Sequence, residues 1–301
     1  MCNIYCITGT RQTPRHHVNG SAAAQDITLR DQAPNFYRFS PDGAQWMTGV
    51  GSYAFKEKGY KRVATLAEDY SYPYTLVGGF MAEFCHVGGR VPKKLWVPLG
   101  TKDYSSVLSS LPEDIDAIYV ALGGADALTF LKQYKQFGGK APLIGGSSTV
   151  DQMVLDAKGA IAEHLVGTIS GVPIADDNPS EGWQAFVKAY RAKFPDAYKF
   201  PSGTLHSYYT NMKAALLALK QAGGDLSNGQ QKLKDALAKL EFEAPSGKVK
   251  LDKNRNAIAD SYLTVVEKKE DGTLFKRLLQ VVPEVNQTMK LSRSTAATPS
   301  T

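Results

Sequence analysis

The segment KRVATLAEDYSYPYTLVGGFMAEFCHVGGRV, residues 61 to 91, decides how the rest of the chain is read. Residues 62 to 67 are rich in Val, Ala, Thr and Leu with no clean period of two, the pattern of a strand buried on both faces. A polar, aromatic loop over residues 68 to 74 is expected next. Pro73 sits where a first helical turn accepts proline, and Leu76, Val77, Phe80, Met81 and Phe84 recur at helical spacing until Gly88-Gly89 stops the helix. This is a strand, loop, helix unit. Open parallel sheets bind ligands outside the carboxyl ends of their strands, so Asp69, Tyr70, Ser71, Tyr72 and Tyr74 are placed for recognition. The plainer alternative is a set of tyrosines covering an edge.

The same alternation extends both ways. Upstream, residues 22 to 29 read as a short helix and 35 to 39 as a strand. A further helix opens at Asp42, where Gln45 three residues on completes a capping box, and runs to Gly59. Downstream, strands are expected at 94–97, 115–121, 143–145 and 165–169, with helices at 104–111, 125–137 and 150–157 between them. Strict βα alternation predicts a parallel sheet covered on both faces, because right-handed crossovers allow little else. Beyond residue 180 the pattern changes to helices at 180–194, 204–222 and 229–240, then hairpins over 242–251 and 261–281.

A chain of 301 residues, 43% hydrophobic, can bury a substantial core. The net charge of +6 and pI near 9.0 permit anionic partners, but lysines alternate with glutamates at 56–58 and 267–270, and no basic patch interleaved with aromatics is present. Nucleic-acid binding is therefore not expected. Cys2, Cys6 and Cys85 form no CxxC pair and no metal spacing with histidine, so neither metal nor cofactor is expected; Cys85 reads as a small core residue. No apolar run approaches eighteen residues, so no segment is expected to span a membrane. MCNIYCITGTRQTPRHH lacks the basic start and apolar middle of a signal peptide.

Nucleotide-binding signatures GxGxxG and GxxxxGK[ST] are missing, as are GxSxG and HExxH. Gly123-Gly124 and Gly145-Gly146 follow strands at the same sheet edge as Tyr72. Ser147 and Ser148 have no visible activator, and Asp69 with Asp126 could pair there as carboxylates. An α/β enzyme using Asp69, Asp126 and Ser147 is thus an alternative, and a cytosolic ligand sensor is another.

Taken in order, APNFYRFSPDGAQ, GYKRVATLAEDYSYPY, KDYSSVLSSL, IDAIYVALGGADALTFLKQ and PLIGGSS resemble the type I periplasmic binding proteins of the leucine/isoleucine/valine-binding family. YYTNMKAALLAL, FEAPSGKVKLD and ADSYLTVVEKKEDGTLFKRLLQVV extend the likeness, which covers roughly residues 18 to 285. It implies an α/β protein of two doubly wound parallel-sheet lobes that holds a small ligand between them. Such a protein is not an enzyme; it delivers its ligand in the periplasm to the permease subunits of an ABC importer. Residues 1–40 and 200–258 would form the remnant of an incomplete first lobe, residues 41–199 and 259–285 the second lobe, and 286–301 a disordered tail. The family's early strands are not found ahead of SAAAQDIT, so the resemblance implies an N-terminally truncated chain: either the sequence is a fragment, or its start is misplaced and residues 1–17 are not native to the fold.

By the same resemblance Ser21, Ala22 and Ala23 match the first-lobe turn that holds a ligand carboxylate, where a helix N-terminus would supply N–H donors. Tyr72 matches the second-lobe tyrosine. Ala125 and Ser147 fall where an amino-acid binder places an aromatic and an acidic residue, and Asp126 is a substitute acid. The ligand implied is a small carboxylate-bearing molecule, an aromatic acid or a branched-chain amino acid.

Overall fold

A computed structural model describes residues 17–30, 32–157 and 161–289. In chain order the strands are β1 (His17–Val18), β2 (Phe36–Tyr37), β3 (Val63–Glu68), β4 (Lys94–Val97), β5 (Ala117–Ala121) and β6 (Leu143–Gly145). They continue with β7 (Ile169–Val172), β8 (Phe242–Ala244), β9 (Gly247–Leu251), β10 (Ala257–Lys268) and β11 (Leu274–Val285). Strands β4, β3, β5, β6 and β7 pair in that order and in parallel. The antiparallel β10 joins β7, carries β11 on its other side, and pairs β9 at its start. The parallel pair β1–β2 stands apart, linked by a bridge from Arg38 to Asn256.

Every residue of β3 and β5 is buried. Along β5 the faces alternate: Ile118 and Val120 pack with Phe130, Leu131 and Val154, while Ala117, Tyr119 and Ala121 pack with Phe80, Met47 and Val50. Both faces being apolar, the strand shows no polar–apolar alternation, as the sequence led us to expect. A third core, of Tyr37, Phe39, Ala214, Ala218, Leu237, Leu240 and Val249, lies under the helices Gly203–Gln221 and Ser227–Lys239.

Several boundaries differ from expectation. The helix after β3 starts at Ser71, two residues before the expected Pro73, so Pro73 stands in the first turn as expected and Ser71 and Tyr72 are helical rather than loop. The segment 42–59 forms two helices, Gly43–Trp46 and Val50–Lys56, because Gly49 takes φ of 93°. The Asp42/Gln45 capping box is present. Residues Ile161–Leu165 wind into a 3-10 turn and Gly167, at φ of 87°, delays the strand to Ile169. Between Ala22 and Leu29 only Asp26–Leu29 is helical. Cys85 is exposed, not in the core: it lies one step past Phe84, about 100° round the helix from the buried stripe.

Residues 286–289, expected to belong to the tail, are placed against the body of the protein. Nearly buried, Gln287 donates to Thr28 Oγ1 and Asp42 Oδ2, at 3.0 and 2.8 Å. Residues 1–16 and 290–301, on which the expectations of a non-native start and a disordered end fall, lie outside the described residues. No helix among the described residues is long and apolar enough to cross a membrane.

Candidate functional site

The loops after β3, β5, β6 and β7 all open at one sheet edge and wall a cleft of about 240 Å³. Tyr70 and Tyr72 come from the first loop and the helix after it, Gly123 and Gly124 from the second, Ser147 and Ser148 from the third, and Pro173 and Ile174 from the fourth. Ser21, Ala22 and Ala23 close it from the opposite side, together with Pro201, Gly203 and Thr204. Parallel topology thus brings together five of the seven residues singled out from sequence: Ser21, Ala22, Ala23, Tyr72 and Ser147.

The turn at residues 21–24 is set by its carbonyls. Arg38, fully buried, donates from Nη1 to Ala24 O at 2.7 Å and Ala22 O at 3.3 Å. Its guanidinium also reaches Asn256 Oδ1 at 2.6 Å and Thr28 Oγ1 at 2.6 Å, with Asp42 Oδ2 at 3.6 Å. Gly43 N donates to Ala23 O at 2.9 Å, and Asn19 holds Ala22 through both its amide atoms. Three carbonyls are therefore occupied, whereas the N–H groups of Ala23 and Ala24 have no acceptor among the described residues. The expected helix N-terminus is replaced by a turn, since the helix starts only at Asp26; of the two residues, Ala23 lines the cleft and Ala24 does not.

Across the cleft, Tyr72 and Ser147 share a hydrogen bond of 2.7 Å. Burial holds the Tyr72 phenol well above its ordinary pKa, so it stays neutral and can donate. Its ring lies edge-on to Trp46 at 6.3 Å and tilted to Tyr70 at 6.4 Å, which gives one continuous aromatic wall. Glu68, at the end of β3, accepts from Gly123 N at 3.0 Å; burial raises its pKa, an effect the Gly123 N–H opposes.

The remaining acids are engaged elsewhere. Asp126 and Ala125, expected at the cleft, are not among the residues that line it, and Asp126 Oδ2 accepts from Gly100 N at 2.6 Å. Asp69 is hydrogen-bonded by Tyr74. Asp151, which sequence reasoning passed over, does line the cleft, but its Oδ1 accepts from Met153 N at 3.2 Å and its Oδ2 from Gly203 N at 3.0 Å. Its N-cap position before the helix Gln152–Leu155 was the available signal. Lys276 also contributes to the wall, with Nζ 2.9 Å from Asp176 Oδ1, and both side chains are buried. Ser147 is bonded to a phenol and not to a base, so the constellation that an enzyme would need from Asp69, Asp126 and Ser147 is not assembled.

What remains is a recess with the turn at residues 21–23 on one side and hydroxyls and rings on the other, with Asp151 and Lys276 also in its wall. Compared with known proteins, residues 11–273 match the sequence profile described as periplasmic binding protein. The chain belongs to the periplasmic binding protein family. That match begins ahead of Val18, where likeness had been expected to resume. A Leu/Ile/Val-binding protein homolog 6 of Brucella melitensis is 26% identical over 265 residues, 86% of this chain, and the chain spans 66% of that relative's length. An ABC transporter substrate-binding protein from Sphaerobacter thermophilus is 26% identical with a TM-score of 0.79, covering 88% of this chain and 72% of the other. A solute binding protein of an ABC transporter from Rhodopseudomonas palustris BisB5, solved with 3,4-dihydroxy benzoic acid, is 25% identical with a TM-score of 0.82 over 93% of this chain and 76% of the other. The architecture is therefore the two-lobed α/β fold of type I periplasmic binding proteins, with antiparallel β10 and β11 completing the parallel sheet.

Proposed function

We propose that this chain is the solute-capturing component of an ABC importer and that its ligand is a small aromatic carboxylate rather than a branched-chain amino acid. The observation that carries this reading is the charge inventory of the cleft. An amino acid brings an ammonium that needs a partner, and a charge left unpaired in a closed site costs several kcal/mol. Yet both oxygens of Asp151, the carboxylate among the described lining residues, are held by backbone N–H groups of Met153 and Gly203, and Ser147, where the acidic partner of an ammonium is expected, is neutral. A carboxylate, by contrast, finds the N–H group of Ala23, and a ring finds Tyr70, Tyr72 and Trp46. The 3,4-dihydroxy benzoic acid held by the Rhodopseudomonas palustris protein is of this class.

On this reading residues 1–40 with 200–258, and 41–199 with 259–285, are the two lobes between which the ligand is taken up. Delivery to permease subunits and a periplasmic location follow from the same proposal. No step of covalent chemistry is required of any residue.

Calorimetric titration with benzoate, 3,4-dihydroxybenzoate, leucine, isoleucine and valine tests it. Micromolar binding of an aromatic acid is expected, weakened at least tenfold by Tyr72→Ala. Micromolar leucine binding indifferent to Tyr72→Ala would refute the assignment, and the ligand would then be an amino acid.

A further inference from the structure

Trp46 occupies the cleft wall with a polar atom that nothing satisfies. The residue is 5% exposed, its indole Nε1 is buried, and that nitrogen has no hydrogen-bond partner among the described residues. Indole nitrogen is a donor only, and leaving a buried donor without an acceptor forfeits the hydrogen bond it made to water. Ser148 Oγ, which belongs to another residue lining the same cleft, is likewise buried and without a hydrogen-bond partner among the described residues.

Nor can the indole readily move away. Its helix, Gly43–Trp46, is pinned by the Asp42/Gln45 capping box and by Gln45 Nε2, which donates to Ala257 O and Val285 O at 2.9 and 2.8 Å. Ser261 Oγ donates to Gln45 O at 2.9 Å. The helix sits directly on β7, where a Cβ at Gly171 would lie 1.9 Å from the Trp46 carbonyl oxygen. A group held this firmly with one unmet donor is preorganised for an acceptor that arrives from outside.

We infer that Trp46 is a specificity-determining residue whose indole N–H, together with the Ser148 hydroxyl, reads a ring-borne oxygen on the aromatic acid, at the end away from the carboxylate. This rests on the aromatic-acid reading of the cleft. Tyr72, edge-on to the indole at 6.3 Å, is the ring that yields slightly for the oxygen to reach Nε1. The Tyr72 hydroxyl with Ser147 offers both donor and acceptor to a second ring substituent. A plain benzoate leaves the indole N–H unmet, and an oxygenated benzoate does not. One neutral hydrogen bond gained is worth about tenfold in affinity.

The test uses the whole chain with ¹⁵N-labelled tryptophan, titrated with benzoate and with 3,4-dihydroxybenzoate, in wild type and in Trp46→Phe. The wild type is expected to prefer the dihydroxy acid at least tenfold, and Trp46→Phe to shrink the ratio of the two affinities to within about threefold. The Trp46 indole N–H resonance is expected to move downfield with 3,4-dihydroxybenzoate and not with benzoate. Equal binding of the two acids, a preference that survives Trp46→Phe, or an unmoved resonance overturns the role of Trp46 and leaves the aromatic-acid reading intact. Binding of leucine with neither acid overturns both. Should Trp46→Phe fail to fold, the wild-type resonance, assigned by its proximity to the Tyr72 ring, decides alone.

Discussion

The sheet around β3 and β5 and the region around the helix Gly203–Gln221 use the same kinds of residue and differ in what covers them. Phe80 is fully buried between Phe84 and Tyr119, with ring centroids 5.1 and 4.5 Å away. On the helix Gly203–Gln221, Ala214 and Ala218 face the third core, while Tyr208, Met212 and Leu216 are 56, 61 and 59% exposed at four-residue steps. Beside that helix, among the described residues, β1 pairs with β2 alone. Apolar side chains stabilise a helix only where another layer takes them out of water, so equal hydrophobicity buys unequal stability in the two regions.

The widest contrast should come from truncation in the well-covered sheet. Phe80→Ala is expected to cost about 3–5 kcal/mol in equilibrium denaturation; a loss below about 1 kcal/mol would show that the sheet is no better packed than the helix.

Next in size is a pH effect inside the less covered region. His206 is buried, has no hydrogen-bond partner among the described residues, and lies against Trp183 at 6.1 Å; burial lowers its pKa from the ordinary 6.5 to about 4. Between those values the unfolded chain carries the extra proton. The contribution is therefore intact above pH 6.5, falls as pH drops through the window, and levels off below about 4, by up to roughly 3 kcal/mol. His206→Leu should flatten the slope of stability against pH in this window, and an unchanged slope would place the titration elsewhere.

Hydrogen exchange sharpens the comparison further. Amides of β3 and β5 should exchange at least about a hundredfold more slowly than those in the middle of Gly203–Gln221. Uniform protection would mean that the helix shares one cooperative unit with the sheet. The smallest effect belongs to the exposed stripe itself, where Leu216→Gln should change stability by no more than about 0.5 kcal/mol. A larger loss would reveal that something covers this face in solution.

What was legible in the sequence was local or periodic. The capping box needs only Asp42 and Gln45, three residues apart, and β3 with its helix announces itself by composition and spacing. The late hairpins fold back at 245–247 and 269–272, where turn residues mark them. What was hidden depends on partners far along the chain. Arg38 reads as an ordinary charged residue beside a strand, and only the fold brings residues 22, 24, 28, 42 and 256 around it. Trp46 could be assigned to a helix but not to a wall, because helical spacing names a face without naming its neighbour. Asp126 misled for the converse reason, since its position after β5 suggested the cleft and its carboxylate caught Gly100 instead. Cys85 was misplaced by one residue of helical phase.

One strand constrains how this gene can change length. β10 pairs β9 at Ala257 and Ile258, β7 from Tyr262 to Val265, and β11 from Ala259 to Lys268, so one stretch of backbone keeps three ladders in step. Successive side chains along a strand point to opposite faces, so an inserted or deleted codon there reverses inside and outside for everything beyond it. A shift between Ala259 and Ser261 already exists in the pairing with β11. In-frame insertions that surface turns such as 269–272 would absorb should therefore be lethal to folding between residues 257 and 265, and among descendants of this sequence the spacing from Ala257 to Val265 should outlast the identity of most residues within it.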